Sequence, residues 1–174
     1  NFRLAVSEID YLIKNCRPRL FVFTRRFEET AKALQWDLYR PPLYAATVGG
    51  EPENGRILDY QSETEAFDGE TPFVTPSLGP ADPEEPHVIM YTSGTTGRPK
   101  GAVLSHRKTF FNCLNAEIFF QLSFDDIMLV LLPLFHSGGL FIQASPSLYK
   151  GATLLIHPKF DTAKAYRDIE RYKV

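Results

Sequence analysis

The chain has 174 residues, a net charge of −2, 44% hydrophobic residues and 23% charged residues. This composition is typical of a folded globular protein and excludes a disordered chain. The longest nearly uninterrupted apolar stretch, residues 127–135, is far shorter than the roughly 20 residues of a membrane-spanning helix. We therefore expect no transmembrane segment, and the near-neutral charge gives no indication of nucleic-acid binding.

The two cysteines, Cys16 and Cys113, are far apart and form no CxxC or cysteine–histidine spacing. A disulfide framework or a structural zinc site is therefore not expected. The sequence predicts a reduced, cytoplasmic protein.

Acidic residues are concentrated in one part of the chain. Residues 51–85 contain ten acidic residues, one basic residue and five prolines. This composition predicts an irregular, solvated connection over 51–86, between a first α/β part at 1–50 and a second at 87–174.

In the first part, Ile9, Leu12, Ile13 and Cys16 recur at helical spacing after Ser7, which predicts an amphipathic helix with Ser7 as N-cap. Pro18 is expected to end this helix. The elements predicted next are a strand at 19–23, a helix at 27–34 and a strand at 44–48.

In the second part, residues 87–92 (HVIMYT) predict a buried strand. The elements predicted after it are a strand at 101–104, helix 107–121, strand 127–132, helix 139–149, strand 152–156 and a helix capped by Asp161 that ends at Tyr172. Helix packing accounts for the spacing of four aromatic residues, which are expected in the core: Phe110, Phe111, Phe119 and Phe120.

Alternating strands and helices predict an α/β fold with a layered, largely parallel sheet and helices on both faces. In such sheets, ligands bind at the carboxyl ends of the strands. The loops after Thr92 and after Leu132 are therefore the candidate sites.

The loop after Thr92 combines hydroxyls, glycines and two cations directly after a predicted strand. Its candidate phosphate-binding residues are Thr92, Ser93, Gly94, Thr95, Thr96, Gly97, Arg98, Pro99 and Lys100. Glycines let backbone N–H groups converge on an anion, hydroxyls add hydrogen bonds, and lysine adds a compact charge. The loop matches neither the Walker nor the GxGxxG pattern, so a flexible connection without a ligand is the alternative.

The string YTSGTTGRPKGA at residues 91–102 resembles the signature loop of the AMP-forming adenylating enzymes, which include acyl-CoA synthetases, luciferases and peptide-synthetase adenylation domains. Residues 1–9, the segment PLFHSGG at 133–139, and residues 151–161 also resemble passages of the acyl-CoA branch. The resemblance covers most of the chain except the acidic segment. It implies the Rossmann-like half of an N-terminal AMP-binding domain, as a piece of a longer enzyme.

The resemblance implies that a carboxylate attacks the α-phosphate of ATP, giving acyl-AMP and pyrophosphate, and that the thiol of coenzyme A then displaces AMP. Residues 92–100 would hold the β- and γ-phosphates alongside Mg²⁺. His136 would lie beside the acyl-binding tunnel, with Gly138 and Gly139 leading into a helix that lines it.

The family's adenine segment, its magnesium-binding glutamate, its ribose-binding aspartate and its C-terminal lysine all follow the stretch present here. No catalytic residue and no metal ligand is therefore assigned in this chain, which by itself is expected to be inactive and to self-associate through exposed apolar faces. The alternatives are a non-catalytic nucleotide- or phosphate-binding module, or another adenylating enzyme of the luciferase or peptide-synthetase type.

Two weaker patterns are interpreted as structural. His87, His106 and His157 are expected to have structural roles, and the SxxK match at 105–108 is expected to be chance because no SDN or KTG accompanies it. Ser93 and Ser137 lie in no GxSxG elbow, which argues against a serine hydrolase.

Overall fold

The computed structural model describes residues 1–39, 44–48, 57–65, 82–92 and 97–174. The chain divides into two compact units, residues 1–79 and 80–174. Strands and helices alternate in both, which confirms the predicted α/β class. The boundary between the units falls inside the segment predicted as a connection, and the three-part division of the chain stays a prediction.

The first unit contains a parallel three-stranded sheet of order β1-β2-β3. Its elements are α1 Val6–Cys16, β1 Leu20–Thr24, α2 Glu28–Lys32, β2 Tyr44–Val48, β3 Ile57–Asp59 and α3 Tyr60–Glu65, with 3₁₀ turns at Arg25–Phe27 and Trp36–Leu38. The strands predicted at 19–23 and 44–48 are confirmed within one residue at each end.

The start of α1 differs from the prediction. The helix begins at Val6 with Ala5 as N-cap, so Ser7 lies in the first turn and the Ser7 cap is wrong. The Glu8 carboxylate accepts a hydrogen bond of 2.8 Å from the Ala5 backbone N–H. This bond satisfies a free donor at the helix start, as the glutamate of a capping box does, and it fixes the start upstream of Ser7.

The acidic segment is not irregular throughout. β3 and α3 lie within it, and Ala45, Ala46 and Thr47 of β2 pair in register with Ile57–Asp59. The prediction of an irregular connection is therefore wrong over 57–65, because the apolar pair Ile57-Leu58 extends a parallel sheet despite its acidic surroundings. Residues 51–56 and 66–81 lie outside the described part of the chain.

Tyr39 connects α1 to the 3₁₀ turn at Trp36–Leu38. Its ring is 3% exposed, and its hydroxyl donates to Asp10 at 2.8 Å. Burial, and then this bond, raise the pKa of Tyr39. The pKa of Asp10 is lowered, chiefly by its hydrogen bond with Lys14. Tyr39 forms a buried cluster with Ile13 and Leu34.

The second unit contains two two-stranded sheets, one antiparallel (β4-β5) and one parallel (β6-β7). Its elements are β4 Pro86–Thr92, β5 Lys100–Ser105, α4 His106–Phe120, β6 Ile127–Val130, a π-helix Gly138–Ala144, α5 Ser145–Lys150, β7 Thr153–Ile156 and α6 Thr162–Tyr172. Asp161 caps α6 as predicted, accepting from the Lys164 N–H at 2.7 Å.

β4 is a strand as predicted, but it is not buried. None of its seven residues is buried, and Ile89 is 44% exposed. Within the described residues, β4 has β5 as its neighbour in the sheet and α4 as the helix packed on the pair. A two-stranded sheet of this kind leaves much of its apolar surface open to solvent.

The aromatic residues of α4 are also more exposed than predicted. Cys113 is the buried residue of this helix, and burial raises the pKa of its thiol. The four phenylalanines expected in the core are exposed by 47% to 79%: Phe110, Phe111, Phe119 and Phe120. Apolar residues lie all round α4, so one packed side leaves the others in solvent.

Ser105 begins α4 as its N-cap. Its side-chain oxygen accepts from the Lys108 backbone N–H at 3.3 Å. This capping role accounts for the serine of the SxxK match without any nucleophilic chemistry. Among the described residues, no helix is long and apolar enough to cross a membrane.

Candidate functional site

The ends of the predicted phosphate loop are held together by the β4–β5 hairpin. Thr92, the last residue of β4, is the register partner of Lys100, the first residue of β5. Register partners on neighbouring antiparallel strands have α-carbons roughly 4.5–5.5 Å apart. The loop between them is therefore closed at its base, with the exposed side chains of Thr92 and Lys100 at its two ends.

Part of this loop lies within the described residues. Gly97 has a φ of +83°, and a Cβ there would have no neighbour within 4 Å among the described residues. This backbone conformation favours glycine. Arg98 is exposed and Pro99 is half-buried. The predicted residues Ser93, Gly94, Thr95 and Thr96 lie outside the described part of the chain.

Gly101 keeps β5 close to β4 directly after Lys100. A Cβ on Gly101 would lie 2.8 Å from the Ile89 side chain and 3.3 Å from the ring of Tyr91, its register partner. Glycine in a strand marks such a close approach. The small residue lets the Tyr91 ring lie across the strand pair.

The second predicted part of the site follows β6. His136 is exposed, and its Nδ1 accepts a hydrogen bond from the Gly138 N–H at 3.1 Å. Nδ1 is therefore the acceptor nitrogen, and in the neutral ring the proton is on Nε2. The His136 backbone is held as well, since its N–H donates to Pro133 at 3.1 Å and its carbonyl accepts from Leu140 at 3.0 Å.

Gly138 and Gly139 are both buried, and backbone atoms leave no room for a side chain at Gly139. A Cβ on Gly138 would lie 2.8 Å from Leu132 Cδ1, and one on Gly139 would overlap the backbone carbonyl oxygens of Leu132 and Pro133. The paired glycines therefore let the π-helix begin directly against the chain that leaves β6.

The helix predicted at 139–149 is a π-helix followed by the short α-helix α5. Gln143 connects the π-helix to the end of β6: its amide nitrogen donates to the Leu129 carbonyl, and its amide oxygen accepts from the Leu132 N–H, both at 3.4 Å. Asn112 of α4 donates to the Phe141 carbonyl at 2.6 Å.

Sequence reasoning did not identify Gln143 or Asn112. The available signal was a single amide side chain inside an otherwise apolar run, GGLFIQA for Gln143 and TFFNCL for Asn112. Such a residue must find a hydrogen-bond partner when the run packs.

α4 connects the two predicted parts of the site. It contacts β4 and β5, which flank the predicted phosphate loop, and it also contacts the π-helix and α5. The loop and the His136 turn thus lie on two different sheets of the same unit.

The remaining histidines have structural partners. The rings of His87 and His106 stack at 4.5 Å, and His87 Nδ1 lies 3.0 Å from the Thr109 hydroxyl. The buried His157 has Nε2 at 2.7 Å from Asp168 Oδ2, to which Lys164 also donates at 2.5 Å. Bonds from Lys164 first and then from His157 lower the pKa of Asp168.

Metal binding would require several carboxylate, histidine or cysteine side chains close together. Within the described ranges, no three of them lie together in a group that could hold a metal ion.

The similarity to known proteins covers the whole chain and not only the loop after β4. The sequence profile of the family described as "AMP-binding enzyme" matches residues 1–174. An indoleacetate–CoA ligase from Aromatoleum aromaticum is 38% identical over 100% of this chain and 32% of its own length. A feruloyl-CoA synthase from Amycolatopsis sp. is 34% identical over 100% of this chain and 31% of its own length.

A solved structure has the same fold. The crystal structure of a candidate long-chain-fatty-acid CoA ligase from Rhodopseudomonas palustris superposes with a TM-score of 0.82 at 27% identity, covering 100% of this chain and 41% of that chain. The chain thus spans about a third of the length of the curated relatives it matches. Because the family profile matches the chain from its first to its last residue, the chain belongs to the AMP-binding enzyme family.

Proposed function

We propose that this chain is part of a longer, ATP-dependent carboxylate–CoA ligase. The observation that carries the proposal is the β4–β5 hairpin, which holds Thr92 and Lys100 opposite each other at the two ends of the TSGTTGRPK loop. Membership of the AMP-binding enzyme family, and relatives that are CoA ligases or synthases, support it.

In the proposed first step, an oxygen of the acid attacks the α-phosphorus of ATP and pyrophosphate leaves. Residues 92–100 bind the β- and γ-phosphates, so that the leaving pyrophosphate is held in place while its charge develops. The positive φ of Gly97 and the exposed Lys100 fit this role, because an anion needs converging N–H groups and a nearby cation.

Mg²⁺ is proposed as the metal that accompanies ATP, where it supplies charge that stabilises the phosphate oxygens. Among the described residues of the loop, the exposed Thr92 side chain would supply an oxygen ligand to Mg²⁺. In the second step, the sulfur of coenzyme A attacks the acyl carbon and AMP leaves.

The His136 turn is proposed to form one wall of the acid-binding pocket, with Gly138 and Gly139 at the start of the helix that lines it. The bond from the Gly138 N–H to Nδ1 fixes the ring and leaves Nε2 available towards a ligand. The acid is proposed to be a fatty or other carboxylic acid. The names of the two relatives add indoleacetate and ferulate to the acids worth testing.

The test is ATP–pyrophosphate exchange in the full-length protein that contains this chain, with a panel of fatty acids, indoleacetate, ferulate and amino acids. We expect exchange that depends on a carboxylic acid, and release of AMP when CoA is added. Exchange with amino acids alone would instead indicate a peptide-synthetase type of enzyme. We also expect a cytoplasmic location, where ATP and CoA are available.

A non-catalytic phosphate-binding module is the second candidate, since the chain covers only about a third of its relatives' length. It predicts that the full-length protein binds ATP but exchanges no pyrophosphate with any acid. For the 174-residue chain by itself, we expect no acyl-AMP under either proposal. Detection of acyl-AMP from this chain would show that the missing family motifs are not required.

A further inference from the structure

The π-helix at Gly138–Ala144 has an unusual hydrogen-bond pattern at its end. The Ser145 N–H donates to the Leu140 carbonyl, five residues back. In an α-helix the same N–H would donate to Phe141, four residues back. The Phe141 carbonyl therefore does not receive the donor that α-helical geometry would give it.

Residue 146 cannot supply the bond either. In continued π geometry the N–H of residue 146 would donate to Phe141. That residue is Pro146, which has no N–H and is fully buried at the start of α5. In an α-helix its ring would also clash with the carbonyl of Ile142, so Pro146 disfavours α geometry over this stretch. The sequence itself thus leaves the Phe141 carbonyl without a local backbone donor.

Asn112, on the helix α4, supplies the missing hydrogen-bond donor. Its Nδ2 donates to the Phe141 carbonyl at 2.6 Å from α4. Asn112 is half-buried and Phe141 is 8% exposed. Water therefore has little access to this carbonyl, and a buried carbonyl that loses its partner is costly.

We propose that Asn112 is a positioning residue for the acid-binding pocket: its amide replaces the backbone donor that Pro146 lacks, and so fixes the π register of residues 138–144. The predicted effect on binding of the acid rests on the proposed function. The His136 turn is joined directly to the first turn of this helix, because Gly138 donates to His136 Nδ1 and Leu140 donates to the His136 carbonyl.

A change of this register is expected to affect binding of the acid and not binding of ATP. A change from π to α pairing moves the register by one residue, which turns the side chains by roughly 100° around the helix axis. The pocket wall would move, while the hairpin that binds ATP lies on another sheet. Loss of the Asn112 amide should therefore affect the acid and not ATP.

The experiment is a double-mutant cycle in the full-length protein with Asn112→Leu, Pro146→Ala and the pair. Leucine has a similar size and no donor, and alanine at position 146 restores a backbone N–H. Asn115→Leu is the matched control, because Asn115 is exposed on the same helix. KM and kcat are measured for the acid and for ATP.

Loss of one buried hydrogen bond predicts that Asn112→Leu raises KM for the acid about fivefold or more and changes KM for ATP by less than about twofold. In the Pro146→Ala background, the same substitution should change KM for the acid by less than about twofold, because the N–H of residue 146 now reaches the Phe141 carbonyl. An equal effect of Asn112→Leu in both backgrounds, or an equal rise of both KM values, overturns the proposal.

Hydrogen exchange of the amides from Gly138 to Ser145 provides a readout that does not depend on activity. We expect Asn112→Leu to accelerate exchange there when residue 146 is proline, and to have little effect when it is alanine. Unchanged exchange with proline present overturns the proposal. If the protein shows no ligase activity, the proposed function fails, and this exchange measurement still decides whether Asn112 fixes the register.

Discussion

The α-carbon of Gly139 lies so close to the carbonyl group of Pro133 that a methyl group on it would overlap the carbonyl oxygen and lie 2.6 Å from the carbonyl carbon. The carbonyl oxygen of Leu132 approaches from the same side. Both groups belong to the backbone that leaves β6, so they have no rotamer through which to move away. A glycine at position 139 is therefore a steric requirement of this turn.

Gly139→Ala should destabilise the protein for this reason. Overpacking against backbone predicts a loss of about 2–3 kcal/mol in the free energy of unfolding, measured by urea denaturation. Ser137→Ala is the control, because Ser137 is exposed in the same turn, and it should change the free energy by less than about 0.5 kcal/mol. Equal stability of the Gly139→Ala variant and the native chain would show that the turn can relax.

Lys100→Ala should weaken the binding of ATP in the full-length protein without abolishing activity. Loss of one charge-assisted hydrogen bond predicts a rise in KM for ATP of about tenfold or more. Backbone N–H groups and hydroxyls also bind the phosphates, so residual turnover should remain. Lys108→Ala is the control on the exposed side of α4. An unchanged KM and kcat for ATP would exclude a phosphate role for Lys100.

Asp168→Asn should change the acid sensitivity of unfolding. Hydrogen bonds from Lys164 and His157 lower the pKa of Asp168 below its ordinary value of 3.8, so the folded state favours the carboxylate. Its stabilising effect is therefore complete above this value and is lost as the pH falls through the lower pKa of the folded state. The native chain should be more stable than the variant at pH 7, and the difference should narrow below about pH 3.8.

Urea denaturation between pH 7 and pH 3 measures this difference. Asp125→Asn is the control, because Asp125 is an exposed aspartate of the same unit. The difference in free energy of unfolding between the native chain and the Asp168→Asn variant should not stay constant down to pH 3. A constant difference would contradict the role of Asp168 in binding α6 to His157, which follows β7.

The 174-residue chain should self-associate through the exposed aromatic residues of α4. Phe119 is 79% exposed, and its ring contacts that of Phe120 edge to face. Exposed aromatic clusters of this kind promote association. Phe119→Asp should shift the chain towards monomer in sedimentation velocity, whereas Asn115→Asp adds the same charge at another exposed position of α4 and should not. A native chain that is monomeric at all concentrations and binds no hydrophobic dye would contradict this prediction.

Local patterns predicted several elements correctly because short-range physics determines them. Asp161 caps α6 through a bond to a residue three positions away, and the apolar runs at 44–48 and 127–130 form strands. The SxxK match also has a local explanation, since Ser105 caps α4. In these cases the responsible partner is a near neighbour in the sequence.

Burial could not be predicted in the same way. Four phenylalanines of α4 and Ile89 of β4 have the side chains of a core, but all five are exposed. A hydrophobic pattern shows which side chains can pack. It does not show whether a partner is present.

By itself, the sequence determined the α/β class, the location of the candidate loop and the resemblance to adenylating enzymes, because these depend on composition and on residues adjacent in the chain. The tertiary structure decided the rest. It placed Thr92 opposite Lys100 in the β4–β5 pair. It also brought the Asn112 amide to the carbonyl of Phe141, 29 positions away. Pro146 lacks a backbone N–H in any fold, but only tertiary packing could decide which side chain donates in place of that N–H.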